Sequence, residues 1–182
     1  MRVITGVARG RVLTTLDGLD TRPTSQRNKE ALFSVIQFDI EGRRVLDLFA
    51  GSGQLGIEAL SRGADRAVFV DSSKKAVAVI NKNIDATGFS DRSAVLCREW
   101  EAYLLTARER FNLVFLDPPY GKDILLKAVP LSAQKLEQGG IIVCEHDRND
   151  SLPERFDGLV LFRKKDYGRT VFSFYRKENE IS

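Results

Sequence analysis

A chain of 182 residues, 43% hydrophobic and 29% charged, is long enough to bury one sizeable core without disulfides or metal to hold it. Two cysteines and no apolar run about 18 residues long exclude a disulfide-stapled scaffold and a membrane-spanning helix. The net charge of +3 is unevenly laid out: residues 1–29 carry six Lys/Arg against two Asp, residues 30–162 sixteen basic against twenty acidic, and residues 163–182 six against three. Basic ends around an acidic middle predict a polyanionic partner, the plainer alternative being a solvated charged surface. The short, basic, alternating start predicts no leader and a cytoplasmic protein.

Residues 1–26 read as a basic hairpin or arm, with Arg2-Val3-Ile4 and Arg9-Gly10-Arg11-Val12-Leu13 as its limbs. Thr21-Arg22-Pro23-Thr24 is extended, because the residue before proline is pushed out of the α region. Ser25 then caps a helix with Ala31, Leu32, Val35, Ile36 and Phe38 on its apolar face and Gly42 beyond it. From residue 45 the periods alternate. Strands are predicted at Val45–Phe49, Ala67–Val70, Ala94–Cys97, Leu113–Leu116 and Ile141–Cys144. Between them fall helices at Leu55–Ser61, after Ser72 or Ser73 up to Gly88, at 101–108, and from Ile124 to Leu136 with Lys127 and Lys135 on the wet face. Strands alternating with helices imply an α/β, Rossmann-like fold with a mostly parallel sheet covered on both faces. Leu159–Phe162 and Val171–Tyr175 have no helix between them and make an antiparallel hairpin at the sheet edge. Cys97 and Cys144 read as buried, reduced strand residues.

The chemistry gathers at strand ends, where ligands bind in open α/β sheets. Asp117-Pro118-Pro119-Tyr120 follows the run Leu113–Leu116. Two prolines lock φ and remove two N–H donors, while their carbonyls stay free to accept. A carboxylate, a rigid carbonyl and a flat π face suit a planar group bearing an –NH₂, such as a nucleobase. The alternative is a rigid turn with a packed tyrosine. The first strand runs into Gly51-Ser52-Gly53-Gln54-Leu55-Gly56, a GxGxxG that lets backbone approach a ligand closely. Asp71, twenty residues past Gly51, stands where an acid holds ribose hydroxyls. No Lys-Ser/Thr follows the last glycine, so a P-loop is excluded. Asp47 would repel a pyrophosphate at this helix N-terminus and attract an amino-acid ammonium. A ligand with a ribose at one end and an α-amino group at the other is S-adenosylmethionine. Phe49 and Ser72, neighbours of these groups, join the expected cofactor contacts. Glu99 and Trp100 fall where an adenine would lie, as an acceptor and a packing ring, the alternative being a surface acid and a core aromatic. A lone His146 reads as structural, and no metal-ligand spacing appears. A dinucleotide-dependent oxidoreductase and a catalytically silent RNA-binding factor stay open on these residues.

Val45-Leu46-Asp47-Leu48-Phe49-Ala50-Gly51-Ser52-Gly53 with Gly56 resembles the first motif of S-adenosylmethionine-dependent methyltransferases. Asp117-Pro118-Pro119-Tyr120 resembles the signature of the branch that methylates exocyclic amines of nucleobases. With Arg2-Val3-Ile4, Arg9-Gly10-Arg11, Arg22-Pro23-Thr24, Glu30-Ala31-Leu32-Phe33 and Tyr167-Gly168-Arg169-Thr170, nearly the whole chain resembles the bacterial small-subunit (16S) rRNA guanine-N(2) methyltransferases. The resemblance implies a seven-stranded sheet whose last strand is antiparallel. It divides the chain into an arm, 1–26, and a methyltransferase domain, 27–182. Asp117, Pro118 and Tyr120 would be catalytic, Asp47, Phe49, Gly51, Gly53, Asp71, Ser72, Glu99 and Trp100 would hold the cofactor, and Arg9, Arg11, Arg22, Lys164 and Lys165 would meet RNA. The partner would be rRNA or a partly assembled small ribosomal subunit, and the protein a monomer. A DNA adenine methyltransferase with the same signature is the alternative within the class; against it stands the want of a separate DNA-recognition domain.

Overall fold

The computed structural model describes residues 1–16, 25–119 and 122–178. In chain order the elements are α1 (Gln26–Val35), β1 (Arg44–Asp47), α2 (Gln54–Ser61), β2 (Arg66–Asp71), α3 (Lys74–Thr87), β3 (Ser93–Cys97), α4 (Trp100–Thr106), β4 (Phe111–Leu116), α5 (Lys122–Ala133), β5 (Leu136–Asp147), β6 (Arg155–Phe156), β7 (Leu159–Tyr167) and β8 (Thr170–Lys177). Ser25 caps α1, its hydroxyl accepting from Asn28 N at 3.2 Å. Ser73, not Ser72, caps α3 by accepting from Ala76 N at 3.3 Å, and α3 ends at Gly88 in the left-handed region.

The strands form one sheet in the order β3-β2-β1-β4-β5-β8-β7-β6. β1 to β5 pair in parallel, while β8 is antiparallel to both β5 and β7. Chain order reverses between β1 and β4, and the crevice at their carboxyl ends is where a ligand sits in such sheets. The two-residue β6 on the outer edge of β7 makes eight strands among the described residues, one more than the resemblance implies.

Alternation along the strands divides the core. Val45, Phe69, Phe115, Val143, Phe172 and Phe174 pack with α1, α2 and α3 on one face. Leu46, Val70, Val114, Leu116, Cys144 and Tyr175 pack with α4 and α5 on the other. The third glycine of the loop sits in this packing. A Cβ on Gly56 would lie 2.3 Å from Cε1 of the buried Phe69, so only hydrogen lets α2 approach β2 this closely.

Residues 1–16 pack on the α2 face of the sheet. Arg2 bridges Val12, and Val3, Ala8 and Leu13 enter the same core cluster as Leu60 and Phe33. A Cβ on Gly6 would fall 1.7 Å from the Ser61 carbonyl oxygen. The buried Glu58 carboxylate accepts from Ile4 N at 2.8 Å and Thr5 N at 3.0 Å. It also pairs with Arg62 Nε at 2.9 Å and with the fully buried Lys29 Nζ at 3.4 Å. Burial pulls the Lys29 pKa down, and Glu58 opposes that pull. A pair this enclosed is costly to break, because removal of one partner strands the other charge.

Four sequence expectations change. α1 ends at Val35, so Phe38 lies beyond it and is 91% exposed, while Phe33 takes the inner position. Cys97 is exposed because it ends β3, the edge strand; Cys144, in β5, is buried. Lys135 is not on a wet face: it follows α5, and its Nζ donates to the Ala107 carbonyl at 2.8 Å. β5 starts at Leu136, before the glycine pair, with a register shift against β4 between Phe111 and Leu113 absorbing the irregularity.

Candidate active site

A cavity of about 620 Å³ opens at the β1/β4 crevice. Its lining brings together Asp47, Phe49, Gly51, Asp71, Ser72, Glu99, Trp100, Asp117 and Pro118, drawn from the carboxyl ends of four strands. Gly53 stands behind the loop, with φ +77 and its Cα toward Ile80 and Phe69. Tyr120 and Arg22 lie outside the described residues, as does Thr21-Arg22-Pro23-Thr24 as a whole.

The Asp71 carboxylate is already engaged. Oδ2 accepts from Gly51 N at 2.9 Å and Oδ1 from Ser73 N at 2.8 Å. Each oxygen keeps a lone pair, so the carboxylate can still accept two hydroxyls while pinning the glycine loop. Gly51 has φ +56, and a Cβ there would meet nothing within 4 Å, so its Cα borders open space. Phe49 and Trp100 pack ring to ring at 5.9 Å, tilted by 46°. Glu99 precedes α4, is exposed and makes no side-chain cap to the helix.

Asp47 accepts from Gly56 N at 2.9 Å, bridging the end of β1 to the first turn of α2. Burial pushes its pKa up to about 7, against the Gly56 N–H and with the help of nearby Asp71. Asp117 is half-buried, and its pKa is raised well above the usual carboxylate range, first by burial, then by Glu145, then by Asp47. Strand alternation explains the grouping. Asp47 and Asp71 end strands on the α2 face, and Asp117 and Glu145 fall on that face at the ends of β4 and β5. Like charges facing one another in partial burial favour the neutral forms.

Some groups escaped the sequence reading. Thr15 and Leu16 of the arm form part of the wall. Gln54, inside the glycine motif, also lines the cavity, and its Oε1 is buried without a hydrogen-bond partner. Glu145 stands at a strand end like the other acids, so the rule that found Asp117 would have found it too. His146 contacts Ser173 Oγ at 2.8 Å through Nε2 and the Asp147 carbonyl at 3.0 Å through Nδ1, on the face away from the cavity acids.

The donor set decides what fits. Among the described residues the lining holds Asp47, Asp71, Glu99 and Asp117 against one cation, Arg98. Such a cavity disfavours a pyrophosphate and favours a cation carrying hydroxyls. The open space at Gly51 and the unpaired Gln54 oxygen fit the close approach of a ligand with a donor to offer.

The model of the family described as Conserved hypothetical protein 95 matches residues 1–176. The chain belongs to this family. The Bacillus subtilis protein named "Putative rRNA methyltransferase YlbH" is 43% identical, with 97% of this chain and 99% of that protein covered. The Escherichia coli K12 protein named Ribosomal RNA small subunit methyltransferase D is 32% identical, covering 98% and 90%. A solved structure titled "Putative methyltransferase yhhF from Escherichia coli" superposes with a TM-score of 0.87 at 33% identity, covering 98% of each chain. That structure and this chain share the Rossmann-like sheet. Among the described residues no helix is long and apolar enough to cross a membrane.

Proposed function

We propose that this protein transfers a methyl group from S-adenosylmethionine to the exocyclic N2 amine of a guanine in small-subunit rRNA. One adjacency carries the reading: Asp117 and Pro118 border the same cavity as the glycine loop and Asp71. The rRNA methylation named for the relatives supports the substrate class. The acidic lining supports S-adenosylmethionine over a dinucleotide. We read residues 1–26 as an arm for RNA and 27–182 as the methyltransferase domain, working as a cytoplasmic monomer on rRNA or a partly assembled subunit.

Bound there, S-adenosylmethionine supplies an electrophilic methyl group on a sulfonium. Asp71 would accept the ribose hydroxyls while its oxygens hold Gly51 and Ser73. Asp47 would face the ammonium end. Trp100 and Phe49, which pack ring to ring, would hold the adenine end, with Glu99 as acceptor. An exocyclic amine is a poor nucleophile, because its lone pair is delocalised into the ring. The Asp117 carboxylate and the Pro118 carbonyl each accept one N–H, which favours a pyramidal nitrogen and frees the lone pair. Positioning alone supplies roughly 7–11 kcal/mol of the barrier. Asp117 takes the proton once the nitrogen has become acidic. Tyr120 is assigned to stacking on the base, worth roughly 1–3 kcal/mol. Arg9, Arg11, Arg22 and Lys165 are assigned to phosphates; Lys164, which register turns to the other face of β7, is not.

The test is nucleoside mass spectrometry of small-subunit rRNA, naked and in partly assembled subunits, after incubation with the protein and methyl-labelled S-adenosylmethionine. Label in N2-methylguanosine is expected. Label in N6-methyladenosine would move the activity to adenine, and NAD binding without methyl incorporation would return the oxidoreductase reading.

A further inference from the structure

Asn83 is a buried amide on α3, outside the cavity lining, and it serves two segments at once. Its Oδ1 accepts from Thr14 N at 2.7 Å, and its Nδ2 donates to the Thr14 carbonyl at 2.9 Å. The same Nδ2 donates to the Ser52 carbonyl at 2.8 Å. One side chain therefore pairs both main-chain groups of Thr14 and fixes a carbonyl between Gly51 and Gly53. Three of the four bonds an amide can make are spent on this junction. Thr15 and Leu16, the next residues of the arm, line the cavity beside that loop. Upstream, the arm is held to α2 through Glu58 and Ser61, while Arg9 and Arg11 stay exposed on it.

We propose that Asn83 is a positioning residue that couples cofactor binding in the cavity to RNA binding on the N-terminal arm. A ligand against the glycine loop and the Thr15–Leu16 wall orders the segment that Asn83 ties to Thr14. RNA held by the arm orders the same segment from the other side. Whichever binds first leaves less ordering for the second, so the two affinities rise together. Linkage makes the effect reciprocal, with one factor in both directions. The inference rests on the proposed function, since it takes S-adenosylmethionine and rRNA as the two ligands.

The experiment is a binding cycle with S-adenosylhomocysteine, which cannot react, and small-subunit rRNA transcribed in vitro. Each Kd is measured with and without the other ligand. The wild-type protein should show at least about 5-fold tighter binding of either ligand in the presence of the other, the lower end of common coupling factors. Asn83→Ala should bring the factor to about 1 whatever happens to the individual affinities; a merely structural role would weaken binding but leave the ratio. Asn83→Asp keeps the acceptor for Thr14 N, loses both donors and should also uncouple. A third readout needs no variant: S-adenosylhomocysteine should slow hydrogen exchange at Thr14 N–H several-fold in the wild-type protein. A wild-type factor of 1, a wild-type factor retained in Asn83→Ala, or unchanged Thr14 exchange overturns the inference and leaves the proposed function standing. Failure of the wild-type protein to bind either ligand overturns the proposed function instead.

Discussion

Asp47 and Asp117 are two acids that the fold makes expensive to ionise. Burial, with Asp71 nearby, holds Asp47 at about 7, and burial with Glu145 and then Asp47 nearby holds Asp117 well above the usual range, so Asp47 is partly protonated near neutrality. For Asp47 the folded-state pKa lies above its ordinary 3.8, so the folded protein binds more protons between those values. Its contribution to stability therefore falls as pH rises from about 4 to 7. A cationic ligand favours the ionised forms. S-adenosylhomocysteine, whose ammonium would face Asp47, should bind more tightly as pH rises from about 5.5 to 7.5 and release protons. Calorimetry in buffers of different ionisation enthalpy measures that release. Asp47→Asn should lower it; no release from the wild-type protein would mean that Asp47 is already ionised. Asp117 itself should matter to turnover rather than to cofactor affinity. Asp117→Ala is expected to abolish methylation in single-turnover assays, lowering kcat and kcat/KM together, while the protein still binds S-adenosylhomocysteine. Asp117→Asn keeps one carbonyl acceptor and should retain a trace. Near-wild-type kcat in Asp117→Ala would reduce Asp117-Pro118-Pro119 to a structural turn.

At the scale of elements, the glycine motif works as a packing device as well as a ligand loop. Gly51 borders the cavity, Gly53 turns the chain at a left-handed φ, and Gly56 lets α2 lie against Phe69. Gly56→Ala should push α2 from β2, and overpacking of this kind costs about 1–3 kcal/mol. For a chain of this size each kcal/mol lowers Tm by about 2–4 °C. Thermal melting checks it, and the shift should be accompanied by weaker cofactor binding, because Gly56 N also holds Asp47. An unchanged Tm would mean that Phe69 yields without cost. The arm is likewise an element of the core, since Val3, Ala8 and Leu13 share a cluster with α1 and α2.

Over the whole molecule, the basic ends converge less evenly than the charge count suggests. Register sets Arg163 opposite Phe174 and Lys165 opposite Phe172, on the face where the arm packs. Lys164 lies opposite Ser173, on the other face with His146. Adjacent lysines of one strand thus cannot serve one phosphate track. Neutralising Arg9 and Arg11, or Arg163 and Lys165, should flatten the salt dependence of RNA binding, each lost contact removing roughly 0.7–0.9 from the slope of log K against log salt. Lys164→Ala should change the slope little. Equal slopes for all three variants, measured by filter binding across salt concentrations, would make the charge segregation a solvated surface.

The order of strands and helices, the glycine loop and the acids at strand ends were legible because each depends on local periodicity or on short spacing. Asp71 and Asp117 stood just past apolar runs, whereas Asp47 fell inside the expected strand Val45–Phe49 and ends β1 in the fold. The exposure of Phe38 was not legible, because apolar spacing continues past the point where α1 stops. Nor was the exposure of Cys97, since only strand order makes β3 an edge. The arm as a wall of the cavity, the Glu58–Lys29 pair and the Asn83 junction join residues 29 to 69 positions apart. The ionisation of Asp47 and Asp117 belongs with these, because a pKa is set by what the fold brings near a group and by how much water it removes. The amino-acid sequence by itself determined which elements form and which groups stand at their ends; the tertiary structure alone decided which of those groups meet, because contacts distant in the chain leave no period to read.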